Sequence, residues 1–234
     1  RSSAASDVYK RQMNRREFLK ISCSGLITLY LSGCGLNMQS GQNITSAAET
    51  ASGKENSKMK ITVITGSPHK AGTSALLADK FIAGAEKNGH KVFRFNAAFK
   101  NIHACTGCNA CGMNGPCVFK DDIERELMPE LLDSDMIVLV TPLYYYDMSA
   151  QLKTVIDRMH GRLRSFDGKK SILMATAWNS AGWTFDALVD HYDSLVEFMH
   201  WQDMGKVLAL GSGTRRMIEE TEFPEQAERL GMSI

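Results

Sequence analysis

The stretch KITVITGSPHKAGTSALL, residues 60–77, decides the fold. Its first six residues are a β-branched, apolar run of strand length, and Gly66 and Pro68 end it, which predicts a buried strand. Ser74 can cap a helix that continues through ALLADKFIAGAEKNG, with apolar residues at helical spacing and Gly89 as its stop. A strand, a small hydroxyl-rich turn and a helix start therefore follow one another directly. At such a turn, backbone N–H groups and the positive end of the helix dipole favour an anion, and Ser67, Thr73 and Ser74 add donors. The turn is no Walker loop, because no Gly-Lys-Ser/Thr ends it. The spaced glycines of the dinucleotide fingerprint are missing too. A tight turn with a plain N-cap is the alternative reading.

The alternation continues outward. KVFRFN at 91–96, MIVLVT at 136–141, SILMAT at 171–176 and KVLALG at 206–211 read as four more strands. Asp121 and Asp122 favour a helix start, since carboxylates suit a helix N-terminus. Pro129 either interrupts that helix or sits in the first turn of a second. Further helices are predicted at 148–159, from about 184 to 199, and near 224–230. Five strands alternating with helices give an α/β fold with a parallel, doubly wound sheet. Its ligand belongs outside the strand carboxyl ends, where strand order reverses.

Two more loops fall at those ends. After the third strand come Pro142, Leu143 and three tyrosines, Tyr144 to Tyr146. They offer a flat apolar wall with polar tips, suited to a planar ring system. Tyrosines that merely cover a sheet edge are the alternative. After the fourth strand, TAWNSAGW brings Trp178 and Trp183 toward the same crevice.

Four of the six cysteines lie in CTGCNACGMNGPC, residues 105–117. Cys105, Cys108 and Cys111 are separated by two residues each, and Cys117 follows after five more. Structural zinc sites commonly use two separated ligand pairs. A tight series on one loop is closer to iron–sulfur ligation, although Pro116 precedes the last cysteine, unlike the bacterial ferredoxin run. Two disulfides, zinc or free thiols stay open as alternatives. His103 reads as a solvent-exposed loop histidine, with a tuning hydrogen bond to the thiol loop as the other reading.

Composition bounds the rest. The 234 residues are 44% hydrophobic with a formal net charge of +1. That suits one domain plus extra segments, and it leaves no electrostatic footprint for nucleic acid. Residues 1–12 precede Met13 and read as spurious translation. Residues 13–33 read as a twin-arginine (Tat) signal peptide: Arg15 and Arg16, then an apolar run at 21–31, too short to span a bilayer comfortably. LSGC at 31–34 resembles a lipobox, so the expectation is an exported bacterial lipoprotein, held on the periplasmic or outer membrane face through lipidated Cys34. An anchoring helix or a cytoplasmic chain with a mis-assigned start are the alternatives. Residues 34–58 are polar and aperiodic and read as a flexible tether, which leaves 59–234 as the folded domain.

GSPHKAGTS, the cysteine loop with Asp121-Asp122 close behind, and TPLYYYDMSAQLKTVIDR occur in an order that resembles the flavodoxin-like NAD(P)H-dependent FMN reductase superfamily, in its iron–sulfur flavoprotein branch. The resemblance spans about residues 59–211. It implies a flavodoxin-like five-stranded sheet of order 2-1-3-4-5 with helices on both faces. It implies FMN, with the phosphate at Ser67, His69, Thr73 and Ser74. The flavin ring would meet Pro142, Leu143, Tyr144 and Tyr145, and approach Thr176, Ala177 and Trp178. It implies a [4Fe–4S] cluster on Cys105, Cys108, Cys111 and Cys117 that passes electrons to FMN, and a homodimer or homotetramer. His69 stands where the family carries an arginine, and neutral imidazole supplies less charge than guanidinium. Thr73-Ser74 replaces the family's usual Asn-Thr.

The implied activity is an FMN-dependent oxidoreductase, with NAD(P)H as donor and a quinone or flavin as small acceptor. The alternatives are a non-enzymatic electron carrier between redox protein partners and a zinc-stabilised module without flavin. Nicotinamide nucleotides are scarce outside the inner membrane, so export would favour a quinol or protein donor. No hydrolytic Ser–His–Asp or Cys–His centre is evident, and no residue is assigned proton transfer.

Overall fold

In the computed structural model, which describes residues 58–234, strand β1 spans Lys60–Thr65 and is buried from Ile61 onward. The readings placed on residues 1–57 (spurious translation, signal peptide, lipidated Cys34 and almost all of the tether) lie outside the described residues. Helix α1, Thr73–Lys87, follows the first loop, and β2, Lys91–Asn96, follows α1. The cysteine loop comes next. It ends in a π-helical turn, Ile123–Leu127, that runs into α2, Met128–Asp133. Then come β3 (Met136–Pro142), α3 (Ala150–Arg158) with a 3-10 extension (Met159–Phe166), β4 (Lys170–Thr176) and α4 (Asp186–Phe198). Strand β5 (Gln202–Ala209) and helices α5 (Arg215–Glu219) and α6 (Phe223–Ser233) complete the chain.

The sheet order is β2-β1-β3-β4-β5 and every pairing is parallel. From β1 the chain winds first to β2 and then back past β1 to β3, so the switch point lies between β1 and β3. Alternate strand residues feed two cores. Val63, Val138 and Met174 pack with Leu77, Phe81 and Ala227 of α1 and α6 on one face. Ile64, Leu139 and Leu173 pack with Leu131, Leu152 and Leu188 of α2, α3 and α4 on the other. Each large apolar side chain so covered contributes roughly 1.5–3 kcal/mol. Helices α1 and α6 meet closely because each has a glycine at the crossing. A Cβ on Gly84 would lie 2.2 Å from the Glu228 carbonyl, and one on Gly231 2.2 Å from that of Phe81.

Several local expectations change. The N-cap of α1 is Gly72, not Ser74, which lies inside the first turn. Strand β5 begins at Gln202, four residues ahead of the expected start. Its early residues are exposed or half-buried, Gly205 takes φ +137°, and the pairing with β4 slips between Ser171 and Leu173, so no apolar alternation marks them. Pro129 opens α2 without breaking it, because its missing N–H falls where a helix start has no partner to offer. Helix α5 is too short to show an apolar stripe; Thr214 caps it by accepting from the Met217 amide. No helix among the described residues is long and apolar enough to cross a membrane.

Candidate functional site

A cavity of about 650 Å³ opens over the carboxyl ends of β1, β3 and β4. That lies within the range of roughly 300–1,000 Å³ usual for small-molecule sites. Its walls are residues 67–73 after β1, Pro142, Leu143 and Tyr144 at the end of β3, Thr176 to Trp178 at the end of β4, and Ser212, Gly213 and Arg215 after β5. The three loops singled out from sequence thus converge.

The first loop is fixed by the sheet beneath it. The Gly66 amide donates to the Val140 carbonyl at 2.9 Å. The Ser149 hydroxyl donates to the Gly66 carbonyl at 2.9 Å while accepting from the Leu152 amide as the cap of α3. A Cβ on Gly66 would sit 2.2 Å from that hydroxyl, so only glycine lets β1 turn here. Ser67 is buried at the cavity wall, and its Oγ accepts from the His69 amide at 3.2 Å. No side chain caps α1, so the free N–H groups of its first turn are not taken up by a capping hydroxyl. Thr176 ties this helix start to β4: its hydroxyl lies 2.9 Å from that of Thr73 and 3.0 Å from that of Ser74.

That bond decides the place of Ser74. It is 1% exposed, bonded to Thr176, and absent from the cavity wall, so it supports Thr73 instead of facing a ligand. Tyr145 is also away from the wall. Tyr144 and Asp147 exchange backbone hydrogen bonds at 3.0 and 3.2 Å, which makes Tyr145 and Tyr146 the centre of a tight turn with φ of 49° and 67°. The side chain of Tyr145 projects fully into solvent. Tyr146 leans on Trp183, with ring centroids 5.1 Å apart, and His191 Nδ1 holds Asp147 at 2.9 Å. Ser67, His69, Thr73, Pro142, Leu143, Tyr144, Thr176, Ala177 and Trp178 all line the cavity.

The sequence reading missed the wall after β5. A Cβ on Gly213 would lie 2.0 Å from the Trp178 ring, so the indole rests on bare backbone. The Arg215 guanidinium comes within 3.5 Å of the Ala71 carbonyl and carries charge to the first loop. The Gly-Ser-Gly-Thr run at 211–214 was the available signal, a small hydroxyl-bearing loop at a strand tip.

The cysteines form a separate site. All four are free thiols; Cys105 and Cys108 are exposed, Cys111 and Cys117 half-buried. They line one narrow cavity, about 20 Å³, with Phe119, Arg158 and His160 among its other walls. Among the described residues no three His, Cys, Asp or Glu side chains are gathered closely enough for a single metal ion. A cubane places its thiolates on separate irons, so its donors stand farther apart than those sharing one zinc. Gly107, Asn109, Gly112 and Met113 all have positive φ. Such backbone curls turn N–H groups inward and cradle anions, Fe–S centres included. Hydrogen bonds from the Ala110 amide, and then the Thr106 hydroxyl, hold the Cys108 thiol below its usual range, which favours the thiolate. Four soft donors on one curled loop fit a thiolate-ligated group. His103 is half-exposed, as expected, yet not free: it stacks on Phe119 and its Nδ1 lies 3.2 Å from Asp121.

A parallel sheet of order 2-1-3-4-5, with a cavity over the tips of β1, β3 and β4 beside an open helix N-terminus, defines a flavodoxin-like fold. The chain belongs to the NADPH-dependent FMN reductase family, which residues 59–215 match. It is similar to an iron-sulfur flavoprotein of Archaeoglobus fulgidus, 38% identical over 113 residues, covering 47% of this chain and 51% of that one. A second iron-sulfur flavoprotein, from Methanocaldococcus jannaschii, is 34% identical over 100 residues, covering 43% of this chain and 51% of that one. The chain thus spans about half the length of these relatives. Among solved structures, a flavone reductase shares the fold with a TM-score of 0.60 at 18% identity, over 75% of this chain and 62% of that one.

Proposed function

We propose that this protein is an FMN-dependent oxidoreductase that binds FMN in the cavity over β1, β3 and β4 and passes electrons from a nicotinamide nucleotide to a small acceptor such as a quinone or flavin. The observation that carries this reading is the convergence of the loops after β1, β3 and β4 on one cavity beside the uncapped N-terminus of α1. That helix start, with the hydroxyls of Ser67 and Thr73, suits a phosphate. Lys70 and Arg215 are the cations on the cavity wall, and Arg215 is paired through its Nε with Glu219. Pro142, Leu143, Tyr144 and Trp178 line the same cavity and offer apolar surface for a planar ring. When bound, FMN supplies the two-electron and one-electron chemistry; the residues here bind it, orient it and set its surroundings.

The thiol loop is proposed to hold a [4Fe–4S] cluster on Cys105, Cys108, Cys111 and Cys117, supported by the shared cavity, the curled backbone and the iron-sulfur flavoprotein relatives. The exposed rings of Tyr145, Trp178 and Trp183, in the loops after β3 and β4, favour a macromolecular neighbour, a second copy of this chain or a redox partner. Export as a membrane-held lipoprotein is carried as part of the proposal, with residues 13–34 as its basis.

The test is anaerobic purification of the full chain, with an absorption spectrum, FMN, iron and acid-labile sulfide assays, and turnover of NAD(P)H with a quinone. Tightly held FMN and quinone-dependent NAD(P)H oxidation are expected. A chain that takes up no FMN under any condition ends the proposal. A flavin-loaded protein inert to small donors and acceptors would instead make it an electron carrier.

A further inference from the structure

Between Phe99 and Ile123 the chain holds no strand or helix, yet this loop carries all four thiols. Its ends are tied by two bonds between Asn101 and Asp122, at 2.7 and 3.0 Å, and by one buried ion pair. Arg158, the last residue of α3, has a side chain 1% exposed, and that of Asp121 is 2% exposed. Arg158 Nη1 donates to Asp121 Oδ2 at 2.7 Å and to the His103 carbonyl at 2.9 Å. Nη2 donates to Asp121 Oδ1 at 3.2 Å and to the Phe119 carbonyl at 3.4 Å. Asp121 in turn accepts from the His103 amide at 2.9 Å. His103 and Phe119 flank the thiols on either side, and their rings stack at 5.1 Å with planes 6° apart. One guanidinium therefore braces the neck of the loop from its buried side.

A buried ion pair is a poor way to gain stability, because desolvation offsets most of its attraction and apolar residues would serve as well. The pair also leaves Arg158 Nε buried without an acceptor, a further cost of about 1–3 kcal/mol. What ties it to the thiols is that Arg158 lines the same cavity as all four cysteines.

We propose that Arg158 is a positioning residue of the thiol site: locked on Asp121, it braces the neck of the loop before anything binds, so that the four cysteines are held together for a thiolate-ligated iron–sulfur cluster. This rests on the cluster reading above.

Arg158→Met alone would strand a buried carboxylate, so the informative variant is R158M/D121N in the full chain. It removes both charges, while the new side-chain amide at position 121 keeps an oxygen for the His103 N–H. FMN content and circular dichroism report the fold. The expected result is wild-type FMN content, with iron and sulfide uptake on anaerobic reconstitution reduced about tenfold. Amides of residues 104–118 in the metal-free protein should exchange about tenfold faster. Arg158→Lys, which keeps the charge but not the fork, should not restore slow exchange. Wild-type iron uptake together with wild-type loop exchange in the double variant overturns the proposal. If the wild-type chain itself takes up no iron or sulfide, the cluster reading fails, and exchange alone decides the clamp: faster upholds it, equal overturns it. If the double variant misfolds, Arg158→Lys takes its place, and unchanged loop exchange in that variant overturns the clamp.

Discussion

Around the cavity at the sheet tips, nearly every wall residue lies within a few positions of a strand end or a helix start. Around the thiols, the chain runs from Phe99 to Ile123 with neither strand nor helix, and its neck is held by the Arg158 guanidinium and by bonds between Asn101 and Asp122. The first site is therefore held redundantly, by sheet hydrogen bonds, a capping serine and a shared hydroxyl pair. The second hangs on a few bonds at its neck, with one buried ion pair among them. Damage should be graded and local in the one and abrupt in the other.

The sharpest break in this contrast is Arg158→Met. Removing one partner of a buried pair leaves the other uncompensated, which costs about 3–5 kcal/mol. Urea unfolding should show that loss, and a change under about 1 kcal/mol would mean that water or rearrangement already screens the pair. Acid reaches the same pair from the other side. Burial raises the Asp121 carboxyl, but the hydrogen bonds and charge of Arg158 and the His103 amide outweigh it and leave it below its ordinary value of 3.8. Its contribution is thus complete above that ordinary value and is lost as pH falls through it toward the folded one. Loop amide protection, with the intrinsic pH dependence of exchange divided out, should be flat from pH 5 to 8 and fall only below about pH 4.

At the flavin cavity the effects should be smaller. Gly66→Ala drives a Cβ into Ser149 and Leu152, where overpacking costs about 1–3 kcal/mol. Flavin fluorescence titration should show weaker FMN binding, while the loop amides near the thiols keep their exchange rates. Thr176→Val removes the hydroxyl shared by Thr73 and Ser74 and should cost about 1–2 kcal/mol, with a fold otherwise unchanged by circular dichroism. Smallest is Tyr145→Ala, at a ring wholly in solvent: stability should stay within about 0.5 kcal/mol and FMN affinity should hold. A large loss of affinity there would put Tyr145 back against the ring and blur the distinction between the two regions.

The strand-turn-helix at residues 60–77, the apolar runs at β3 and β4, and the loops at their ends are all legible in the chain, because buried parallel strands write themselves as continuous β-branched and apolar runs. The start of β5 is not, since an edge strand with exposed early residues carries no such run. Nor is the place of Ser74, which depends on a hydroxyl 102 residues away on another strand. Tyr145 reads as a ring contact because it sits beside Tyr144; a two-residue turn sends it the other way.

By itself, then, the sequence determined which segments form the sheet, which loops carry hydroxyls, aromatic rings and thiols, and the order in which they come. Periodicity and turn chemistry are local properties, and a chain displays them directly. Only the tertiary structure decided that Arg215 reaches the first loop, that Ser74 faces Thr176, and that Arg158 and Asp121 meet beneath the cysteines. Those are pairings across 37 to 144 residues. What selects them is burial, which leaves a polar group no water and so makes it find the partner that the fold brings near.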